Sequence, residues 1–355
     1  MDTWSDRMIV RQSIWECAAS VCIGLCLAAP TWGQVADVEN TQHAKADDES
    51  AHPVTPVVHV EVRGKGPIPV VLIPDVGYDW TVFDTFMDRN SERYTMYAVT
   101  LAGMAGTEPP PMIENSDFDD LQLLRNAVDS IVLVIEQRKL NTPVVIGHGI
   151  GGHIAVWLAT RRPGMARCAI SLDGMPYIIL GDQNIKLTDE ERRNFIRNRI
   201  IADVQKYTPE TWAEYWKKTV YKYVTEGDRA VELAKIFLTT SRGVAVEMGL
   251  EMYFSDLRPD LQTTKVPILF AAVAPPGTFF GVIARSWNSV LDQQPINTTL
   301  VAFEECRHFV MDDDPWQLDS VVRNFILGNE LKDSKVSQGI TAPINPELAD
   351  GKELP

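Results

Sequence analysis

The fold is decided by one ten-residue stretch, VVIGHGIGGH, at residues 144–153. Its first residues form a short apolar run that is typical of a buried strand. Four glycines follow within residues 147–152, and the segment from Ile150 to Arg161 favours a helix. The stretch lacks the Lys-Ser/Thr ending of a phosphate loop and the glycine spacing of a dinucleotide site. It therefore predicts a buried strand, a tight corner and a helix, and no cofactor.

Apolar runs and helical segments alternate on both sides of this stretch. Such alternation predicts a mostly parallel sheet with helices on both faces, and ligands then bind at the carboxyl ends of the strands. We expect about eight strands. The further strand candidates lie at residues 57–62, 70–74, 94–101, 169–172, 266–273 and 299–303, and the longest helix candidate lies at 117–139.

The alternation stops between residues 176 and 262, where the pattern becomes helical. Thr188 and Glu191 have the spacing of a capping box, and Thr208-Pro209 places proline at the first position of a helix. Asp228 and Ser241 are candidates to open two more helices. These residues predict a helical insertion between two strands of the sheet.

Three aromatic residues, Trp212, Tyr215 and Trp216, fall on one face of this insertion at helical spacing. The first interpretation is that the face packs the insertion onto the sheet. The second is that it forms an aromatic wall over a ligand pocket. The packing interpretation is favoured, because aromatic stripes usually face a core.

The first 33 residues have the pattern of a secretory signal peptide. Arg7 and Arg11 precede an apolar run at residues 17–29, which small residues and a possible cleavage point near Gly33 or Ala36 follow. The run is short for a membrane span, which needs about 20 apolar residues. We expect a secreted or periplasmic protein without stable membrane insertion after cleavage, and an uncleaved anchor is the alternative.

The chain carries a formal charge of −15 over 355 residues, which argues against nucleic acid as a partner. Residues 34–55 and 331–355 are polar, and we expect a disordered linker and a disordered tail there. Outside the expected signal peptide the chain has two cysteines, Cys168 and Cys306. One should begin a strand and the other should follow one, so we expect two unpaired thiols at opposite edges of the sheet.

Residues 56–330 resemble the α/β-hydrolase superfamily, and more narrowly its secreted bacterial members. The resemblance implies a hydrolase core at residues 56–175 and 263–330 with a helical cap at 176–262. It also identifies the corner at 147–152 as the nucleophile elbow of that fold, G-x-S-x-G. The segments that carry the resemblance are LIPDVG at 72–77, TLAGMAG at 100–106, the corner itself, DGMP at 173–176, SDLR at 255–258 and RHFVMDDDP at 307–315.

The resemblance implies a catalytic triad in the order nucleophile, acid, histidine. His308 matches the histidine, whose role is to take a proton from the nucleophile. Asp173 matches a position that some members use for the acid, since residues 274–278 contain no carboxylate at the more usual place. Asp173 beside Gly174 is equally typical of a turn, so both roles remain open.

The oxyanion hole of this fold uses two backbone N–H groups. The resemblance assigns them to Ile150, after the nucleophile position, and to Val76 or its neighbours. Asp75 stands where many relatives have glycine. Its carboxylate would repel a developing oxyanion if it pointed inward.

The departure from the family is Gly149, which stands where the nucleophilic serine is expected. His148, the residue before it, is interpreted as structural. Three hypotheses follow. The first is a protein without acyl-enzyme chemistry that binds a small apolar or ester-like molecule, or a partner, under the cap. The second is a hydrolase in which His308 activates water, and the third is a decayed esterase; none requires a cofactor or a metal.

Overall fold

The computed structural model describes residues 54–111, 117–162, 164–180, 187–278, 280–291, 295 and 297–330. The expected signal peptide, nearly all of the expected linker and the expected tail lie outside these residues. Within the described part of the chain, no helix combines the length and the apolar character that a membrane crossing requires.

The described residues form one seven-stranded sheet, where about eight strands were expected. The strand order is β1-β3-β2-β4-β5-β6-β7, with β1 antiparallel to β3 and every other pair parallel. The strands are β1 His59–Arg63, β2 Ile68–Ile73, β3 Tyr94–Thr100, β4 Val144–His148, β5 Cys168–Leu172, β6 Ile268–Ala274 and β7 Thr298–Glu304.

The register of the central strands brings three corners side by side. Ile73 at the end of β2 pairs with Gly147 of β4, and His148 pairs with Leu172 at the end of β5. Parallel neighbours in register end at the same edge of a sheet. The residues that follow β2, β4 and β5 therefore meet at one place.

Helices cover both faces of the sheet, and a helical insertion separates β5 from β6. The core helices are α1 Asp84–Asn90, α2 Gln122–Gln137, α3 Ile150–Arg161, α9 Phe280–Val290, α10 Val310–Asp313 and α11 Pro315–Glu330. The helices of the insertion are α4 Asp189–Phe195 with its continuation Ile196–Val204, α5 Pro209–Thr219, α6 Gly227–Thr239, α7 Arg242–Phe254 and α8 Arg258–Thr263.

Local sequence explains the starts of two helices in the insertion. Thr188 forms the predicted capping box, and Thr208 is the predicted N-cap before Pro209 and also forms a capping box, with Thr211. Asp228, a candidate to open a helix, lies instead in the first turn of α6, which begins at Gly227 after Glu226. The long helix predicted from residue 117 begins only at Gln122, since Leu121 has a left-handed backbone with φ +52°.

A buried carboxyl group from the insertion caps that late helix start. Glu251 accepts hydrogen bonds from the N–H groups of Leu123 at 2.9 Å and Leu124 at 2.8 Å. Burial raises the pKa of Glu251 to about 8, although these backbone donors act in the opposite direction. The start of α2 thus depends on a distant residue that local sequence does not reveal.

The expectation that Cys168 and Cys306 form no disulfide is confirmed. Cys168 begins β5 and Cys306 follows β7, and both residues are buried and outside any disulfide. The largest fully buried side chains include Trp157, Phe270 and Phe303.

Candidate functional site

The corner after β4 has the backbone geometry of a strand-to-helix elbow. Gly149 has φ +54° and ψ −121°, and its N–H donates to the carbonyl of Leu172 at 2.9 Å. A residue with a Cβ pays about 1–3 kcal/mol in such a conformation, whereas glycine adopts it freely. Position 149 is therefore the elbow residue that the sequence predicts, without its side chain.

The carboxyl group of Asp75 occupies the space that a side chain at position 149 would need. A Cβ on Gly149 would lie 2.2 Å from Asp75 Cγ, 2.3 Å from Oδ1 and 2.6 Å from Oδ2. These distances are far inside van der Waals contact. Asp75 is buried, with 5% of its surface exposed. A serine at position 149 and the observed Asp75 are mutually exclusive.

The two oxygens of Asp75 contact two parts of the predicted site. Oδ1 accepts a hydrogen bond from the N–H of Ile150 at 2.7 Å. Oδ2 lies 3.0 Å from Nε2 of His308. The Asp75 carboxylate therefore points inward, which is the case in which repulsion of an oxyanion is expected. It already accepts a hydrogen bond from the Ile150 N–H, the donor assigned to the oxyanion hole. Val76 follows directly and is half-buried at the same corner.

Asp173 lies on the other side of His308. Its Oδ2 is 2.7 Å from Nδ1 of His308, so the residue does more than end a turn. The N–H of Asp173 donates to the carbonyl of Ala271 on β6 at 2.9 Å, which fixes its position after β5. The structure thus brings His308 and Asp173 together in the pairing that the resemblance implies.

A histidine between two carboxylates is held in its charged form. Burial acts to lower the pKa of His308, but the hydrogen bonds and charges of Asp173 and Asp75 outweigh it and raise the value to about 9. Burial raises the pKa of Asp173, against the opposing effect of His308. At neutral pH both ring nitrogens of His308 therefore carry protons and donate to the two carboxylates.

His148 contacts His308 through a hydrogen bond and through its ring. It has no exposed surface, and its Nε2 lies 3.0 Å from the carbonyl of His308, an acceptor that requires a proton on Nε2. The two rings are 4.2 Å apart between centroids. Burial, aided by the charge of His308, holds the pKa of His148 well below its ordinary range. A neutral, buried His148 fits the structural role expected for it.

Asp75, His148 and His308 also form a group of potential metal ligands, whose candidate atoms lie within 4.8 Å of one another. Tetrahedral zinc with bonds of about 2.1 Å holds its ligand atoms about 3.4 Å apart. Here Asp75 and His308 are already joined by a 3.0 Å contact that a shared proton explains. The residues fit a hydrogen-bonded cluster better than a metal site.

Aromatic residues of the insertion pack on one side of this cluster. The ring of Tyr223 lies 5.1 Å from His308, and the Tyr223 carbonyl accepts from the N–H of Phe309 at 2.8 Å. Trp216 packs at 3.9 Å on Phe237, which in turn packs against Gly77 beside Asp75. The aromatic stripe thus packs the insertion onto the core through Phe237, as the favoured interpretation holds.

Two buried donors lie among these rings. In the part of the chain that the structure describes, the hydroxyl of Tyr78 and Nε1 of Trp216 are buried without a hydrogen-bond partner. Tyr78 packs on Phe309 at 5.0 Å, and the charge of Asp75, after burial, contributes to raising its pKa. Buried donors of this kind usually find a partner.

One acidic residue ties the insertion to the loop that carries His308. Asp313 accepts from the N–H of Arg307 at 2.7 Å with Oδ2 and from the N–H of Thr225 at 2.8 Å with Oδ1. The Arg307 side chain also donates to the carbonyl of Val224 at 2.7 Å. The position of His308 therefore depends on the insertion.

The residue that sequence reasoning missed as a partner of His308 is Asp75. Its position after β2 and its departure from glycine were visible in the sequence, but the direction of its side chain was not. Ile150 lies where the oxyanion assignment requires it, and its N–H is used by Asp75 in this structure.

Known proteins share this arrangement of elements. A hydrolase from Pseudomonas aeruginosa PA01 superposes with a TM-score of 0.58 at 15% identity, over 75% of this chain and 93% of that one. The enol-lactonase from Burkholderia xenovorans LB400 gives 0.58 at 14% identity, over 76% and 96%. At these identities the likeness shows the fold alone.

A curated relative is the 2-(acetamidomethylene)succinate hydrolase of Mesorhizobium japonicum, which is 25% identical over 122 residues. That match spans 34% of this chain and 40% of the relative's length. The family model described as "Alpha/beta hydrolase family" matches residues 70–318, which include every corner of the site. With the strand order and the elbow geometry, this match shows that the chain belongs to the alpha/beta hydrolase family.

Proposed function

We propose that this protein is a hydrolase that works without a serine acyl-enzyme, and that its reacting groups are Asp75, His308 and Asp173. One observation carries the proposal. The Asp75 carboxylate stands in the space of the missing side chain at position 149, with its oxygens on Ile150 N–H and His308 Nε2. The Asp75 carboxylate thus takes the place of the serine side chain that is missing at position 149.

The protonation state of His308 decides whether it acts first as an acid or as a base. With a pKa raised to about 9, His308 carries a proton at neutral pH and is an acid rather than a base. The hypothesis that His308 directly activates water therefore requires the charge of Asp75 to be removed first. A reaction that begins at Asp75 meets this requirement.

The charge of the site selects the substrate class. Two buried carboxylates with one imidazolium leave a net negative charge, which repels anionic substrates. The surrounding rings of Tyr78, Trp216 and Tyr223 favour a small, mainly apolar molecule with acceptor oxygens. The name of the Mesorhizobium relative supports hydrolysis as the reaction class, and no more than that.

Binding without turnover is the second candidate function. It is favoured by the hydroxyl of Tyr78 and by Nε1 of Trp216, which could hold a ligand that never reacts. The two candidates share the same site, so a ligand should bind in either case. Only turnover separates them.

We also propose that the protein acts outside the cytoplasm after loss of residues 1–33. The charged start with Arg7 and Arg11 and the apolar run at 17–29 support this. Amino-terminal sequencing of the protein purified from its secreted or periplasmic fraction tests it, and a mature chain that still begins at Met1 would contradict it.

The test of function is a turnover assay with purified protein on a panel of short esters, lactones and epoxides. We expect the natural chain to turn over at least one class. Asp75→Asn and His308→Gln should each lower kcat/KM by about 10³-fold or more, as loss of a reacting group does. Asp228→Asn, at an exposed position on α6, is the matched control and should leave it unchanged.

Two outcomes contradict the proposal. Full activity in Asp75→Asn would remove Asp75 from the reacting groups. A ligand that binds to the natural chain while no member of the panel turns over would favour the binding candidate instead.

A second pair of variants tests the replacement itself. Gly149→Ser alone should create no esterase, because Asp75 occupies the volume that the serine needs. Asp75→Gly combined with Gly149→Ser should produce a burst of p-nitrophenol from p-nitrophenyl acetate, the mark of an acyl-enzyme. Esterase activity in the single variant would show that Asp75 does not fill the site in solution.

A further inference from the structure

We propose that the amino edge of the sheet carries a second binding site, a basic cleft for organic diphosphates, which are molecules that join two linked phosphate groups to an uncharged part. The inference goes beyond the proposed function. The cleft lies at the opposite edge of the sheet from Asp75 and takes no part in hydrolysis.

The cleft is open to solvent and has a volume of about 870 Å³. Its walls come from the beginnings of several strands. Residues 138–142 lead into β4, Arg167 directly precedes β5, and Pro267 directly precedes β6. Parallel strands begin at the edge opposite to the one at which they end, so the cleft and the candidate catalytic site are separated by the length of the sheet.

The side chains that line the cleft give it a positive charge. They include Arg138, Lys139 and Arg167, and the described residues of the lining include no aspartate or glutamate. The whole chain carries a formal charge of −15, so this cleft departs from the charge of the molecule around it. A concave surface lined by one sign of charge concentrates ligands of the other sign. The cleft therefore selects an anion.

Two of these cations are not neutralised by the protein. In the part of the chain that the structure describes, no carboxylate pairs with Arg138 or Lys139. By contrast, Arg89 is paired with Asp319 and Arg162 with Asp129. Cations at the end of α2 do suit the helix dipole, but that accounts for neither the cleft beside them nor Arg167, which belongs to another element.

The backbone of the cleft is strained at two lining residues. Lys139 has φ +53° and Thr142 has φ +41°. The N–H of Leu140 donates to the carbonyl of Ile135 at 2.9 Å, so Lys139 occupies the left-handed position after a helix where glycine is usual. A β-branched residue at positive φ is rarer still. Such strain is typical of ligand clamps, because a side chain is kept there at a cost in stability.

The types of cation and their places favour linked phosphates. An arginine guanidinium presents paired N–H groups that match phosphate oxygens, and lysine adds a compact charge. Arg138 and Lys139 are adjacent in the segment that leads into β4. The N–H of Arg167 donates to the carbonyl of Pro143 at 3.0 Å, so Arg167 begins the neighbouring strand. Neighbouring strands lie about 4.8 Å apart, and two linked phosphates can contact cations on both.

The rest of the cleft is suited to an uncharged organic group. Its volume lies in the range of pockets that hold whole small molecules, so a diphosphate alone leaves much of it unfilled. The remaining walls include the half-buried Tyr97 and the prolines Pro67, Pro69 and Pro267. Proline has no N–H to donate, so these walls offer mainly apolar surface. A nucleoside or an isoprenoid chain would pack on them equally well.

The experiment is calorimetric titration of the purified protein with ADP, geranyl diphosphate, inorganic diphosphate and citrate. Salt is kept at about 0.15 M to screen nonspecific attraction. We expect one site with a Kd of about 100 μM or below for ADP, for geranyl diphosphate or for both, and weaker binding of inorganic diphosphate and citrate. Binding of ADP alone would identify a nucleotide source, and binding of geranyl diphosphate alone a lipid source.

Variants place the ligand in the cleft. Arg138→Gln combined with Lys139→Gln should weaken binding about 10-fold or more, because charge-assisted hydrogen bonds are lost. Arg199→Gln removes the same charge at an exposed position of the insertion and should bind as the natural chain does.

Lys139→Gly separates a ligand contact from a structural role. Glycine relieves the backbone at φ +53°, so the urea midpoint should be no lower than that of the natural chain. The affinity for the organic diphosphate should still fall about 10-fold. Unchanged affinity in this variant would overturn the assignment of Lys139.

Three results would overturn the inference as a whole. These are no binding of either organic diphosphate, binding that the double variant leaves unchanged, and citrate or inorganic diphosphate bound as tightly as the organic ligands. All of these are measurements of binding, whereas the proposed function is tested by turnover. Failure of one proposal therefore leaves the other standing.

Discussion

The corner after β2 and the corner after β4 differ in opposite ways. At the β4 corner a side chain is missing, since Gly149 occupies the strained elbow position. At the β2 corner a side chain is added, since Asp75 points into the same space. The space beside position 149 is therefore a volume at the edge of the sheet that a side chain from either of two adjacent strands can fill.

The two corners are also linked by charge. Asp75 uses the Ile150 N–H at the start of α3, where the helix dipole and free N–H groups favour an anion. The β4 corner therefore supplies the anion site, and the β2 corner supplies the anion. Three measurements test this relation.

The largest expected effect is from Gly149→Ala, which forces a side chain into the shared volume. We expect a loss of about 4 kcal/mol in the free energy of unfolding, from backbone strain of about 1–3 kcal/mol and overpacking of similar size. Urea denaturation measures it. Gly164→Ala is the matched control, because Gly164 also has positive φ, at +83°, but nothing lies within 4 Å of its missing Cβ.

The same variant in an Asp75→Gly background isolates the contact between the corners. If the two corners share one volume, the double variant loses less than the sum of the single losses. Strict additivity of the two losses would show that Asp75 moves aside without cost. It would contradict a volume shared by the two corners.

The next largest effect is the pH dependence of the free energy of unfolding, which reports how the charge of Asp75 acts on His308. The pKa of His308 is about 9 in the fold against an ordinary 6.5, so its proton stabilises the folded state. This contribution, about 3 kcal/mol, is fully present below pH 6.5 and disappears as the pH rises through 9. The unfolding free energy of the natural chain minus that of His308→Gln should therefore fall over this range.

Asp75→Asn sharpens the measurement, since it removes one of the two carboxylates that hold the proton. The fall should then move to lower pH and become smaller. His59→Gln, at an exposed edge position, is the control and should reproduce the natural profile. An unchanged profile in Asp75→Asn would mean that Asp173 alone sets the charge of His308.

The smallest effect concerns the loop after β7, which carries Arg307 and His308. This loop places His308 beside the two corners. Asp313→Ala removes the acceptor for Arg307 N–H and Thr225 N–H. We expect a loss of about 1–2 kcal/mol in stability and a fall of about 10-fold in kcat, with KM nearly unchanged. The control is Asp228→Ala on α6, and a normal kcat in Asp313→Ala would show that the insertion does not position His308.

Much of the architecture was predictable from local patterns. The apolar run at 144–148, the corner at 149, the capping box at Thr188 and the N-cap at Thr208 depend on residues close in the chain, and each lies where the sequence predicts it. The start of α2 was not predictable. It depends on Leu121 and on Glu251, which is more than a hundred residues further along the chain.

The site was predictable in part. His308, Asp173 and Ile150 each follow a strand or corner that the pattern identifies, and strands in one parallel sheet end at one edge. The sequence allows Asp173 either to face His308 or only to end a turn. The structure shows that it faces His308, because Asp173 Oδ2 lies 2.7 Å from His308 Nδ1. The contact of Asp75 with His308 joins residues 233 positions apart, which no local pattern reports.

By itself, the sequence determined the family, the order of the corners and the absence of serine at position 149, because strand and helix periodicity and turn residues act locally. Only the tertiary structure decided that the absence is filled. A side chain's direction at a strand exit depends on the space that neighbouring strands leave, and the register of β2 with β4 turns Asp75 into the volume beside Gly149.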